Sequence, residues 1–130
     1  MILVVGGAFQ GKYKFANEKL NIRDGWADGD DCQFSDIYRC RAIQHFHRYV
    51  KRAMESHYDL TDLAKNLREK NPDIAILTNE LGSGVVPVDQ FDRMYRDELG
   101  RVCEELAAEA DEVYRVICGI GMIIKKPEES

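Results

Sequence analysis

Apolar and polar positions fall along this chain in blocks whose length and period predict strands and helices in turn. Ile2-Leu3-Val4-Val5 is a short continuous apolar run, the pattern of a strand buried on both faces. Lys12 to Asn21 is polar with Phe15, Ala16 and Leu20 along one side, and reads as a short helix. Asn21 to Gln33 is rich in Asp and Gly and reads as a loop. Its acids (Asp24, Asp28, Asp30, Asp31) lack the ordered ligands and terminal Glu of an EF-hand, so they are expected to be solvated. From Phe34 to about Ser56, Ile37, Tyr38, Ile43, Phe46, Tyr49, Val50 and Ala53 recur at helical spacing, although the first residues fit a short strand equally well. A second helix, Asp59 to Lys70, carries Leu60, Leu63, Ala64 and Leu67 on one stripe and is stopped by Asn71-Pro72.

The second half is more regular. Asp73 to Thr78 is a strand expected to be central and buried, and it runs into Asn79-Glu80 and the turn Leu81-Gly82-Ser83-Gly84. A long helix from about Asp89 to Ala110 turns Phe91, Met94, Tyr95, Leu99, Val102, Leu106 and Ala110 towards the core. Glu112 to Cys118 is a further strand, Gly119-Ile120-Gly121 a turn, Met122 to Ile124 an edge strand, and residues 125–130 a tail. Alternating β and α elements imply an α/β fold of three layers: a small, mostly parallel sheet with helices on both faces. One domain over residues 1–130 is expected.

Composition narrows the classes. At 130 residues, with 45% hydrophobic and 32% charged residues, the chain suits one globular domain. A net charge of -5 argues against general binding to nucleic acid or to an anionic membrane, which needs a basic field. No apolar run approaches the ~20 residues that span a bilayer. The opening run lacks the basic flank and cleavage site of a secretory leader. Cys32, Cys40, Cys103 and Cys118 are scattered with no C-x-x-C pair, which fits reduced thiols and a cytoplasmic location.

The chemistry concentrates after the first strand. Gly6-Gly7-Ala8-Phe9-Gln10-Gly11-Lys12 has the spacing G-x-x-x-x-G-K of a phosphate-binding P-loop. Glycines let successive backbone N–H groups converge on an anion, and the following helix points its positive end at the same place. Lys12 adds a mobile positive charge for the outer phosphates. Where that motif has a Ser or Thr hydroxyl for Mg²⁺, this chain has Tyr13, so weakened metal retention is expected. A nucleotide, ATP or GTP, is the expected ligand, bound through residues 6 to 13.

The segments TNELGSGVVP, RMYRDELGRV and AAEADEVYRVICGIG resemble the adenosylcobinamide kinase / adenosylcobinamide-phosphate guanylyltransferase family of cobalamin biosynthesis. Together with Met1 to Lys12 they cover about half the chain, in the family's order. The resemblance implies phosphoryl transfer from ATP or GTP to the hydroxyl of adenosylcobinamide, and a homo-oligomer. It assigns Lys12, Asp36 and Glu80 to catalysis, Asp36 and Glu80 to the metal, and Arg93 and Arg96, from RxxRD, to ligand contact. The departures are Tyr13, Cys103-Glu104 in place of Asn-Gln, and a shortened stretch between the loop's helix and the central strand. The family's guanylylated histidine belongs to that stretch and is read as deleted, so the guanylyltransferase step is expected to be lost. His45, His47 and His57 are read as surface or helix-packing residues. Two alternatives stand beside a kinase: a catalytically impaired paralogue acting as a nucleotide-binding regulator or partner, and a small kinase or NTPase for another substrate.

Overall fold

The first strand, β1 (Ile2–Gly6), lies between two later ones and is paired in parallel with both, β4 (Ala75–Asn79) and β5 (Glu112–Ile117). In the computed structural model, which describes residues 1–80 and 89–127, this trio is the middle of a six-stranded sheet. β2 (Trp26–Asp28) and β3 (Ala42–Gln44) extend it in parallel beyond β4, and β6 (Ile120–Lys125) closes the other edge antiparallel to β5. The order is β2-β3-β4-β1-β5-β6. Among the described residues four α-helices accompany the sheet: α1 (Lys12–Lys19), α2 (Phe46–Glu55), α3 (Leu63–Lys70) and α4 (Gln90–Glu109).

Alternation along the strands divides the core in two. Leu3, Ile43, Ile76 and Val113 face Phe46, Tyr49 and Val50 of α2, Leu67 of α3 and Leu106 of α4. Val4, Ala42, Leu77 and Val116 face the opposite way, onto Phe15 and Ala16 of α1. Both faces of β1 and β4 are therefore covered, which is why these strands read as unbroken apolar runs. The expected α/β architecture, a mostly parallel sheet with helices around it, is the one observed.

Three local expectations need correcting. The Asp/Gly-rich stretch is not all loop: Trp26–Asp28 is an edge strand in register with Ala42–Gln44, too short to show a period. The helical stretch from Phe34 is three elements, a 3-10 turn at Phe34–Tyr38, then β3, then α2. Ala42 and Ile43 are fully buried in the sheet, and His45 takes a left-handed conformation (φ 53) that breaks any continuous helix at that point. The supposed tail begins later than expected, because Lys125 belongs to β6 and its ammonium donates to the carbonyls of Ala107 and Ala108 at 3.0 Å each. That places a cation at the negative end of α4. Within α4, Leu99, Val102 and Leu106 are buried as expected, but Met94 is exposed.

Ile76 is fully buried on β4, in the core cluster that also holds residues of α2 and α3. Replacing it by alanine should lower unfolding free energy by about 2–5 kcal/mol in urea titration, the range for deleting a large buried aliphatic side chain.

Candidate functional site

Parallel strands bring their C-terminal ends to one edge of a sheet, where α/β proteins gather ligand-binding groups. Here β1 ends at Gly6, β2 at Asp28, β3 at Gln44 and β4 at Asn79. A cleft of about 450 Å³ opens between two walls at this edge. One wall is Ala8, Phe9, Gln10, Gly11, Lys12 and Tyr13; the other is Gln44, His45, His47 and Arg48, with Leu77 and Asn79 at its floor. The volume lies within the range of small-molecule sites.

The glycine-rich loop is held from behind. The Gly119 N–H donates to Gln10 O at 2.7 Å, and the Cys118 N–H to the Gln10 side-chain oxygen at 2.8 Å, so the β5–β6 turn grips the loop. Phe9 at the tip is fully exposed, with φ 60. Gly11 has φ 87 and serves as the N-cap of α1, a left-handed position that glycine adopts without strain. The first turn of α1 holds no acidic residue, so nothing there neutralises the positive end of the helix.

Lys12 turns back under the loop. Its Nζ donates to Gly7 O at 2.8 Å, to Asn79 Oδ1 at 2.8 Å and to Gly6 O at 3.3 Å. Burial lowers its pKa below the ordinary lysine value, an effect opposed by the nearby Glu80 carboxylate. Glu80 itself is anchored: its N–H donates to Gly6 O at 2.9 Å, and its carboxylate pairs with Arg115 of β5 at 3.0 Å. Tyr13 packs its ring against Trp26, centroids 4.8 Å apart.

The other expected site residues lie elsewhere. Asp36 sits in the 3-10 turn, where its carboxylate accepts from the Gln33 N–H at 2.9 Å and pairs with Arg39 at 3.0 Å. It lines a separate hollow outside β2 with Gly25, Trp26 and Cys40, and so is not brought to Glu80 or Lys12. The donors expected for Mg²⁺ are therefore not assembled: Asp36 is remote, Glu80 is engaged by Arg115, and residue 13 offers no aliphatic hydroxyl. Arg93 and Arg96 lie on exposed turns of α4 and do not line the cleft. Gly82 and Gly84, expected in a loop over the site, lie outside the described residues.

Three side chains that the sequence did not mark as site residues converge on the cleft. Asn79 accepts from Lys12 and, through its own N–H, donates to His47 Nδ1 at 3.3 Å. His47 is buried, and burial together with His45, Arg48 and Lys12 lowers its pKa to about 4, so it is neutral at pH 7 with the proton on Nε2. The expectation of a packing role fits His47. His45 does more than cover surface, because its Nδ1 lies 3.0 Å from Asp28 Oδ1 while the residue lines the cleft. The signal available in the sequence was positional: Asp28, His45 and Asn79 each stand at or just past a strand end.

The family model for cobinamide kinase / cobinamide phosphate guanyltransferase (CobU) matches residues 39–124. The chain belongs to this family. The match runs from before β3 into β6, up to its penultimate residue, with the helices between them, including His45, His47, Asn79 and Glu80, and starts after the phosphate loop. Over 52 residues the chain is 50% identical to the bifunctional adenosylcobalamin biosynthesis protein CobU of Salmonella typhimurium. It is 48% identical over 52 residues to the protein of that name in Escherichia coli K12. Each alignment takes in 40% of this chain and 29% of the relative, so the chain spans under a third of the curated relatives it matches.

The cysteines are free thiols. Burial pushes Cys40 and Cys103 each up to about 11, whereas Cys118 is exposed at the turn that grips the loop. Brief treatment of the folded protein with iodoacetamide at pH 8, read by peptide mass spectrometry, should label Cys118 first and leave Cys40 and Cys103 largely unmodified.

Proposed function

We propose that this chain is a cobinamide-kinase-like nucleotide-binding module of cobalamin biosynthesis. The triphosphate of ATP or GTP sits on residues 6 to 13, and the terminal phosphoryl group passes to the hydroxyl of adenosylcobinamide. The observation that carries the reading is the placement of Lys12. The loop, the positive end of α1 and the Lys12 ammonium all lie at the end of the central strand β1, facing a cleft of suitable size. On arrival, a phosphate would draw the ammonium from the Gly7 carbonyl and Asn79, exchanging neutral acceptors for an anionic one. Mg²⁺ does not fit the residues beside the loop as they stand, so no step is assigned to it. Loss of the guanylyltransferase step is part of the proposal and rests on reading the family's guanylylated histidine as deleted, while the family match itself runs through His45 and His47.

A second reading is a paralogue that binds nucleotide and regulates or partners other proteins without turnover. It is favoured by Tyr13 and by the engagement of Glu80 with Arg115. In either case a cytoplasmic location fits the free thiols, and no described helix is long and apolar enough to cross a membrane. Self-association is also proposed, between copies of the chain, because the edge strand β6 exposes Ile120, Met122, Ile123 and Ile124.

Calorimetric titration with ATP and GTP should show saturable binding that Lys12→Ala weakens at least tenfold. Binding that is absent, or indifferent to this substitution, removes the proposal. Turnover of adenosylcobinamide with the same dependence on Lys12 selects the kinase; binding without turnover selects the regulator. In sedimentation velocity the protein should run as an oligomer that Ile124→Lys shifts towards the monomer.

A further inference from the structure

Two carboxylates from the Asp/Gly-rich segment meet an imidazole from the β3–α2 junction across the sheet edge. Asp28 Oδ1 lies 3.0 Å and Asp30 Oδ2 3.7 Å from His45 Nδ1, and the three donor atoms lie within 4.8 Å of one another. Donors bound to one first-row divalent ion at about 2.1 Å are about 3.0 Å apart at a right angle and about 3.4 Å apart at the tetrahedral angle. The two carboxylate–imidazole separations, 3.0 and 3.7 Å, fall around these values, and the residues come from two different segments of the chain.

Surrounding groups set the donors. Arg48 pairs with Asp30 Oδ1 at 3.0 Å, leaving Oδ2 as the oxygen turned to His45. The segments approach so closely that a Cβ at Gly29 would lie 2.1 Å from the His45 carbonyl oxygen, so only glycine fits between the two aspartates. All three side chains keep between a third and a half of their surface exposed, so an ion has access from solvent. His45 and Arg48 also line the cleft opposite Lys12.

We propose that Asp28, Asp30 and His45 form a binding site for a first-row divalent cation such as Mn²⁺, Co²⁺ or Zn²⁺. Two hard carboxylate oxygens and one imidazole nitrogen make a mixed donor set of the kind these ions take. Three protein ligands leave positions for water or for an anionic oxygen of a bound ligand. The site is distinct from the Mg²⁺ position expected beside Lys12, and it needs no nucleotide.

The test uses the full chain, stripped with chelator and free of nucleotide. Titration with Mn²⁺, read by loss of the free-ion electron paramagnetic resonance signal, should give one saturable site per chain. Co²⁺ should develop visible absorption at the same stoichiometry. Asp28→Asn and His45→Gln should each weaken binding at least tenfold, while Asp24→Asn, which removes a neighbouring loop charge outside the trio, should leave it unchanged. Circular dichroism identifies any variant that fails to fold, and His45→Gln then stands as the test if Asp28→Asn is lost. Absence of saturable Mn²⁺ and Co²⁺ binding, or equal weakening by Asp24→Asn, overturns the proposal. Failure of nucleotide binding leaves this result intact, because no nucleotide is present.

Discussion

The contact on which the rest of the site depends is the one Lys12 makes beneath the glycine-rich loop. One ammonium joins the carbonyls of Gly6 and Gly7 to the Asn79 side chain, and so ties the end of β1 to the end of β4. Asn79 passes the link to His47, and the carbonyl of His47 accepts from the Tyr95 hydroxyl of α4 at 2.7 Å. Loop, central strands, α2 and α4 are thus connected through polar groups that are each satisfied. A partly buried cation surrounded by neutral acceptors is also poised to exchange one of them for an anion, because charge-assisted hydrogen bonds are the stronger kind.

The two sides of the cleft differ in chemistry. The loop wall offers backbone dipoles and Lys12, and it lies outside the residues that match the cobinamide kinase / guanyltransferase family. The opposite wall, with His45, His47 and Arg48, lies inside that match and carries side chains. Asp28 joins His45 from the unmatched side. Burial works against its charge, but the Asp30 N–H and His45 more than offset it and hold its pKa below the ordinary carboxylate value. The ionised form is therefore the one present at neutral pH, facing an imidazole across the edge of the sheet.

Most of the fold was legible from residue pattern. Ile2–Val5 and Asp73–Thr78 read as buried strands because helices cover both faces, and α4 read as a helix because its apolar stripe persists over many turns. Two of the misreadings have physical causes in the sheet edge. β2 and β3 are three residues long, too short for a period of two to be seen. Ile37 and Ile43 kept a helical spacing with α2 although they belong to a 3-10 turn and a strand. Burial in common, rather than helical continuity, produced that spacing.

The sequence by itself determined the α/β class, the glycine-rich loop with Lys12, the altered residue at position 13 and the family resemblance of the C-terminal half. These depend on local composition or on runs long enough to carry a period. Only the tertiary structure decided which polar residues meet. It separated Asp36 from Glu80 by placing one outside β2 and pairing the other with Arg115 at 3.0 Å. It also brought Asp28 and Asp30 to His45, because parallel pairing of β2 with β3 sets Asp28 opposite Gln44, one residue before His45. Strand order and register determine such neighbours, and neither is written in the spacing of residues along the chain.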